Sequence, residues 1–181
     1  MIYTALLRGI NVGGNNKIDM KQLKSAFEQS GMDSVKTYIN SGNIVFTDER
    51  PKEEVAAVLE AAIINSFGLR IKVLVYSLDQ FRLIAEAVPK EWTNDDQLKS
   101  DVLFLWEEID SEAVLDQLPL KPEIDRIQYV PGAILWSVDR NKVTKSGMAK
   151  IVGTKLYKLM TIRNVNTVRK LHALMSDLEN S

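Results

Sequence analysis

The order of apolar periodicities over residues 1–76 constrains the fold of this chain more than any other feature. Ile2 to Leu7 is a continuous apolar run of strand length. Met20, Leu23 and Phe27 then fall at i, i+3 and i+7, one face of a helix, with Asp19 as its N-cap or first-turn acid and Gly31 as its stop. Residues 35–39 and 43–47 are β-rich runs separated by Asn40-Ser41-Gly42, a hairpin signal. Pro51 stands where a first helical residue belongs, and Glu53 and Glu54 suit the positive first turn. Val55, Leu59, Ala62 and Ile63 supply that helix with an apolar face, and Gly68 ends it. Residues 71–76 read as a strand. Strand, helix, strand, strand, helix, strand is the order of a split βαβ, or ferredoxin-like, unit.

The rest of the chain repeats this order faintly. Ser77-Leu78-Asp79-Gln80 has capping-box spacing, and Phe81, Ile84, Ala85 and Val88 continue a helix. Residues 89–100 are polar and read as a linker. A strand at 101–107, a short helix at 111–118 and a hairpin of 127–130 with 133–138 around Pro131-Gly132 follow. Residues 148–159 read as mixed helix and loop, and a last helix starts near Asn166 with Val168, Leu171, Met175 and Leu178 on one side. The two hairpins share a Tyr (Tyr38, Tyr129), a turn ending in Gly (Gly42, Gly132) and an aromatic four residues after it (Phe46, Trp136). The expected architecture is therefore α+β, with two ferredoxin-like (βαββαβ-type) halves and a C-terminal helix. The second half is degenerate, its last strand short or missing around 158–162. The divisions are 1–76, a connecting helix and linker at 77–100, and 101–181.

The loop between the first strand and the first helix, Arg8-Gly9-Ile10-Asn11-Val12-Gly13-Gly14-Asn15-Asn16-Lys17-Ile18, is the leading candidate site. It holds three glycines, three asparagines and two cations, and no acid occurs before Asp19. Glycines let backbone amides point into one concavity, and a following helix start adds positive potential. Neither G-x-G-x-x-G nor the Gly-Lys-Ser/Thr phosphate loop is present. The bland alternative is a long loop whose asparagines bond their own backbone. Arg163 is the second candidate, a cation beside a helix start, where it opposes the dipole; Asn164 or Asn166 caps that helix. A shared anion would account for Arg8 and Arg163 together, in one cleft bordered by Gly13 and Gly14 with Lys17 at its edge. The tip 40–43 and the glycine loop are expected at opposite ends of the sheet.

Charge and composition exclude several classes. Net charge is −1, yet acids crowd residues 79–125 and none occurs from Arg140 to Ser176, where nine of the cations lie. Such asymmetry suits an anionic partner or two solvated faces. The absence of cysteine removes disulfides, thiolate nucleophiles and Cys-ligated zinc, and no metal-ligand spacing is present. His172 is the single histidine, on the flank of an apolar helical stripe. No apolar run reaches the roughly 20 residues of a membrane helix, and no secretory signal stands at the start. The expectation is a cytoplasmic protein without cofactor or metal.

Three segments carry a family resemblance. They are residues 5–14 (Ala-Leu-Leu-Arg-Gly-Ile-Asn-Val-Gly-Gly) with Lys17, residues 37–46 (Thr-Tyr-Ile-Asn-Ser-Gly-Asn-Ile-Val-Phe), and residues 161–168 (Thr-Ile-Arg-Asn-Val-Asn-Thr-Val) with Lys170-Leu171. In order and spacing they resemble the bacterial family known as domain of unknown function 1697. The resemblance implies an α+β fold of two ferredoxin-like halves and supplies no activity, substrate or catalytic residues. Members often carry Trp where this chain has Val165. The leading functional reading is a module binding an anionic ligand (nucleotide, nucleic acid or phosphorylated metabolite) through Arg8, Gly9, Asn11, Gly13, Gly14, Lys17, Arg163 and Asn164. The alternatives are an enzyme acting on a small phosphorylated or carboxylated substrate, and a structural or interaction protein. The partners implied are an anionic small molecule or nucleic acid, and a second copy of the chain; no membrane is implied.

Overall fold

The computed structural model describes residues 1–181, which divide into two compact units. Unit one is Met1–Phe81 with Leu171–Ser181; unit two is Arg82–Lys170. The protein is mixed α+β, with two four-stranded antiparallel sheets.

In unit one the elements run β1 (Ile2–Leu7), α1 (Met20–Gln29), β2 (Asp33–Tyr38), β3 (Asn43–Thr47), α2 (Lys52–Phe67) and β4 (Val73–Ser77). The sheet order is β2-β3-β1-β4. Tyr3, Ala5 and Leu7 alternate along β1 and join Ile44, Phe46, Val73 and Val75 in a core with Leu23 and Phe27 of α1 and Val55, Leu59 and Ile63 of α2. The alternate residues Thr4 and Leu6 are buried as well, so β1 reads as an unbroken apolar run. Asp19 caps α1, accepting from the Gln22 amide at 3.0 Å. Gly68, at φ 67°, closes α2 with its amide on the Ile64 carbonyl. Pro51 is the residue before α2, one position earlier than its sequence suggested, and its carbonyl accepts the first helical bond, from Val55.

Helix α3 (Leu78–Ala87) starts with a reciprocal capping box. The Gln80 amide donates to Ser77 Oγ at 3.3 Å, and the Ser77 amide to Gln80 Oε1 at 3.4 Å.

Unit two contains β5 (Leu98–Leu105), β6 (Arg126–Val130), β7 (Ala133–Asp139) and β8 (Met160–Asn164) in the order β6-β7-β5-β8, and α4 (Val165–Glu179) follows. Strand β5 begins at Leu98, inside the expected linker, and ends at Leu105, short of the expected 107. The last strand is present: β8 pairs with β5 from Asp101↔Asn164 to Leu105↔Met160. Where unit one has α1 and α2, unit two has only 3-10 helices, Glu107–Ile109 and Glu112–Gln117 after β5, and Arg140–Lys145, Gly147–Gly153 and Lys155–Leu159 after β7. Their apolar residues Val114, Met148, Ile151 and Leu156 cover the sheet face formed by Leu103, Leu105, Ile134, Trp136, Val138 and Met160.

The sheets repeat one another bond for bond at their ends. Leu7 donates to the Gly42 carbonyl at 2.9 Å, and Leu105 to the Gly132 carbonyl at 3.0 Å. Arg8 donates to the Lys72 carbonyl at 3.1 Å, and Trp106 to the Leu159 carbonyl at 3.0 Å. Ser77 caps α3 from the end of β4 as Asn164 caps α4 from the end of β8. The glycine and aromatic signals shared by the two hairpins thus mark corresponding positions. The tyrosines stand one step out of register: Tyr38 pairs with Asn43, directly after Gly42, and Tyr129 with Ile134, two residues after Gly132.

Candidate functional site

The glycine loop leaves β1 at Leu7 and folds back on itself. Asn11 donates its amide to the Asn16 carbonyl at 3.1 Å, and Asn15 to the Val12 carbonyl at 3.0 Å. Gly13 and Gly14, at φ 58° and 78°, form the tip of this miniature hairpin, in the two-residue turn that needs positive φ at both places. Neither of their amides makes a hydrogen bond within the protein. Asn11 and Asn16 also sit at positive φ, 54° and 49°. Their side chains stabilise the loop: Asn16 Nδ2 donates to the Gly9 carbonyl at 2.9 Å, and Asn11 Oδ1 accepts from the Ile18 amide at 2.8 Å. Self-bonding asparagines, one of the two sequence readings, therefore account for the loop's shape.

The tip of the β2–β3 hairpin lies beside this loop, not at the opposite end of the sheet. β1 pairs antiparallel with β3, so the end of β1 faces the start of β3, Leu6 opposite Asn43. Asn11 Nδ2 donates to the Asn40 carbonyl at 2.7 Å, tying loop to tip. A Cβ on Gly42 would stand 2.6 Å from Leu7 Cβ, so only glycine admits this approach. Ile39, a β-branched residue, is held at φ 50° with half its surface exposed. Such a conformation persists only where surrounding structure enforces it.

Loop, tip and helix start enclose an open groove lined by Asn11, Gly14, Lys17, Ile18, Asp19, Met20, Lys21 and Asn40. Lys17 and Lys21 are exposed and belong to no ion pair. The carboxylate in the groove, Asp19, is turned to the α1 amides as their cap. The helix end therefore already has an anionic partner, while Lys17, Lys21 and the Gly14 amide are donors of the groove without one.

The matching corner of unit two is closed. There Asp110 Oδ1 accepts from the Gly132 amide and from Tyr129 Oη, each at 2.8 Å. Burial, the bond to Asp110 and its negative charge push the Tyr129 hydroxyl up to about 12. Where unit one presents an asparagine and two lysines, unit two presents a carboxylate already engaged.

Arg163 and Asn164 lie in unit two, in β8. Arg163 is a strand residue, opposite Val102, and is buried. Its Nη1 donates to Thr161 Oγ1 at 2.8 Å and to the Ile162 carbonyl at 3.0 Å. Burial lowers the guanidinium to about 10, far enough above neutrality to stay charged. Asn164 Oδ1 accepts from the Thr167 amide at 3.0 Å as the cap of α4. The sequence had no signal for Asp125, the most heavily bonded carboxylate of unit two. Its oxygens accept from Trp136 Nε1 at 3.0 Å, the Lys121 amide at 3.0 Å, the Gly147 amide at 3.1 Å and Ser146 Oγ. Burial works against its charge, but these donors outweigh it and hold the carboxyl below its ordinary range. No group of histidine or acidic residues is arranged to hold a metal, and no helix is long and apolar enough to cross a membrane.

Fold and groove together define a two-sheet α+β protein with a glycine-rich loop at the end of its first strand. The chain belongs to the family described as protein of unknown function (DUF1697), whose model matches residues 1–136. It is similar to the conserved bacterial protein SP0830 from Streptococcus pneumoniae, with 30% identity over 96% of this chain and 98% of that one, at a TM-score of 0.83. No curated protein matches the chain.

Proposed function

We propose that unit one binds a small anionic ligand, a phosphate or carboxylate group, in the groove between the glycine loop and the β2–β3 tip. The observation that carries this is the pairing of two cations that belong to no ion pair, Lys17 and Lys21, with a glycine turn whose amides have no partner, the one carboxylate of the groove, Asp19, being engaged as the cap of α1. The Asn11–Asn40 bond ties the two sides of the groove together, and Arg8 and Gly9 belong to the loop but not to the groove's lining. The strain at Ile39 and the loop asparagines is consistent with a recognition loop held in one shape. Arg163 and Asn164 receive no ligand contact in this proposal, because their side chains already serve Thr161, the Ile162 carbonyl and α4. The groove contains no side chain placed as a general base, so binding is the activity proposed.

We also propose that each half is a ferredoxin-like plait followed by one helix, α3 or α4. What supports it is the strand order β2-β3-β1-β4, repeated as β6-β7-β5-β8, with every neighbour antiparallel. The 3-10 segments of unit two then stand in for the two helices of unit one.

Thermal shift with inorganic phosphate, pyrophosphate and a nucleoside triphosphate tests the site. A ligand at about a hundredfold excess over Kd should raise Tm by roughly 5–10 °C. Lys17→Ala and Lys21→Ala should each weaken binding by roughly tenfold, about the contribution of one charge-assisted bond, without lowering the Tm of the free protein. No shift with any anion, or shifts that both variants preserve, would exclude the groove.

A further inference from the structure

We infer that the 3-10 stretch between β7 and β8 is a binding surface for the sugar–phosphate backbone of double-stranded nucleic acid, separate from the groove of unit one. Its lysines come in a pattern that the local geometry makes meaningful. Lys142 and Lys145 are three residues apart in the helix Arg140–Lys145, and Lys155 and Lys158 are three apart in Lys155–Leu159. A 3-10 helix has three residues per turn, so positions i and i+3 eclipse and stand about 6 Å apart along the axis. Each pair is therefore stacked on one side of its helix. Lys150 adds a cation from Gly147–Gly153 between them. All five are exposed. Lys142 reaches Asp139 at 3.7 Å, and the other four belong to no ion pair.

The rows between the lysines are fixed from below. Met148, Ile151 and Leu156 are buried in the core of unit two, and Ser146 and Gly147 bond the buried Asp125. The cations thus project from an anchored platform. Each strand of a duplex carries a charge about every 3.4 Å of axis, so a lysine pair about 6 Å apart can meet phosphates one or two steps apart. Lysine acts as a point charge without the fork geometry that reads base edges, which makes the contact independent of sequence. Tyr157 is only partly exposed, and no aromatic platform for unstacked bases is present, so a duplex suits the surface better than a single strand. A membrane surface suits it less. The apolar rows are already buried, and Val152, 63% exposed, is the large apolar residue left for insertion.

The test is fluorescence anisotropy of the full chain with a labelled short duplex across salt concentrations from about 25 to 200 mM. Four unpaired lysines predict a slope of log K against log salt of about −3 to −4, at about −0.9 for each phosphate neutralised. Lys155→Gln with Lys158→Gln should bring the slope closer to zero by about 2. Lys17→Gln with Lys21→Gln should leave it unchanged, which separates this surface from the small-anion groove: either can fail without the other. Absence of binding at the lowest salt overturns the inference. So does a Lys155/Lys158 variant that binds like the parent, or cosedimentation with anionic vesicles without duplex binding.

Discussion

Gly147 is the position least able to accept a side chain. An added Cβ would lie 1.4 Å from the Pro119 carbonyl oxygen, and the neighbour is backbone, which cannot rotate aside. Gly147→Ala should cost more than about 3 kcal/mol or prevent unit two from folding, measured by urea denaturation. Gly14→Ala is the contrast. Nothing lies within 4 Å of its Cβ, so only the φ of 78° is penalised, at about 1–2 kcal/mol. Asp125 makes a prediction with a pH sign. Its carboxyl is held below its unfolded value near 3.9, so its contribution is complete above that value and is lost as pH falls through the lower folded one. Asp125→Asn should lower stability at pH 7 by about 2–3 kcal/mol and flatten the acid limb of stability against pH. A residual acid limb should remain, because the two bonds from the Arg50 guanidinium, against some burial, hold Asp48 low in the same direction. None of this was legible in the chain. Asp125 meets Trp136 and Ser146 across separations of 11 and 21 residues, with no spacing rule to announce it. The glycine loop stands out because its glycines, asparagines and Lys17 lie within eleven consecutive residues, whereas Lys21, which the fold brings to the same groove, lies outside that run and was not singled out.

Among the elements, those built from local signals were readable. The capping box at Ser77, the Gly68 stop of α2 and both hairpin turns are short-range chemistry, and each appears where the residues place it. The start of β5 was missed because Lys99 and Ser100 read as linker. Ser100 is a buried strand residue whose hydroxyl is satisfied by Ser137 Oγ at 2.8 Å, a cross-strand pair that composition hides. The replacement of the second-half helices by 3-10 turns was half visible. Ser146, Gly147, Gly153 and Thr154 interrupt the segment, and Ser146 and Thr154 bond local backbone in place of continuing a helix. This difference has a dynamic consequence. Short 3-10 pieces with poorer hydrogen-bond geometry open more easily than a continuous helix of 16 residues. Hydrogen exchange should therefore be faster for the amides of residues 142–158 than for those of Leu59 to Ile63 in α2. Equal protection would mean that the core under Met148, Ile151 and Leu156, not helix type, governs local opening.

For the molecule as a whole, two sheets of one topology carry unequal corners. Corresponding hydrogen bonds join the first strand of each sheet to its hairpin glycine and to its last strand. Yet the loop after β1 and the first turn of α1 leave glycine amides and lysines without partners, while the loop after β5 seals its hairpin with Asp110. The placement of the hairpin tip beside the glycine loop followed from the direction of β1 and β3, which the sequence reading of the two ends had reversed. The groove of unit one is the proposed anion site. Its most direct test is a titration of isotope-labelled protein with inorganic phosphate or pyrophosphate, followed through backbone amide chemical shifts. Saturable shifts centred on Gly13, Gly14 and Lys17, with the Gly132 amide of the sealed corner unmoved, are the predicted result. Shifts confined to other residues, or none as the anion rises to tens of times the protein concentration and beyond, would contradict it.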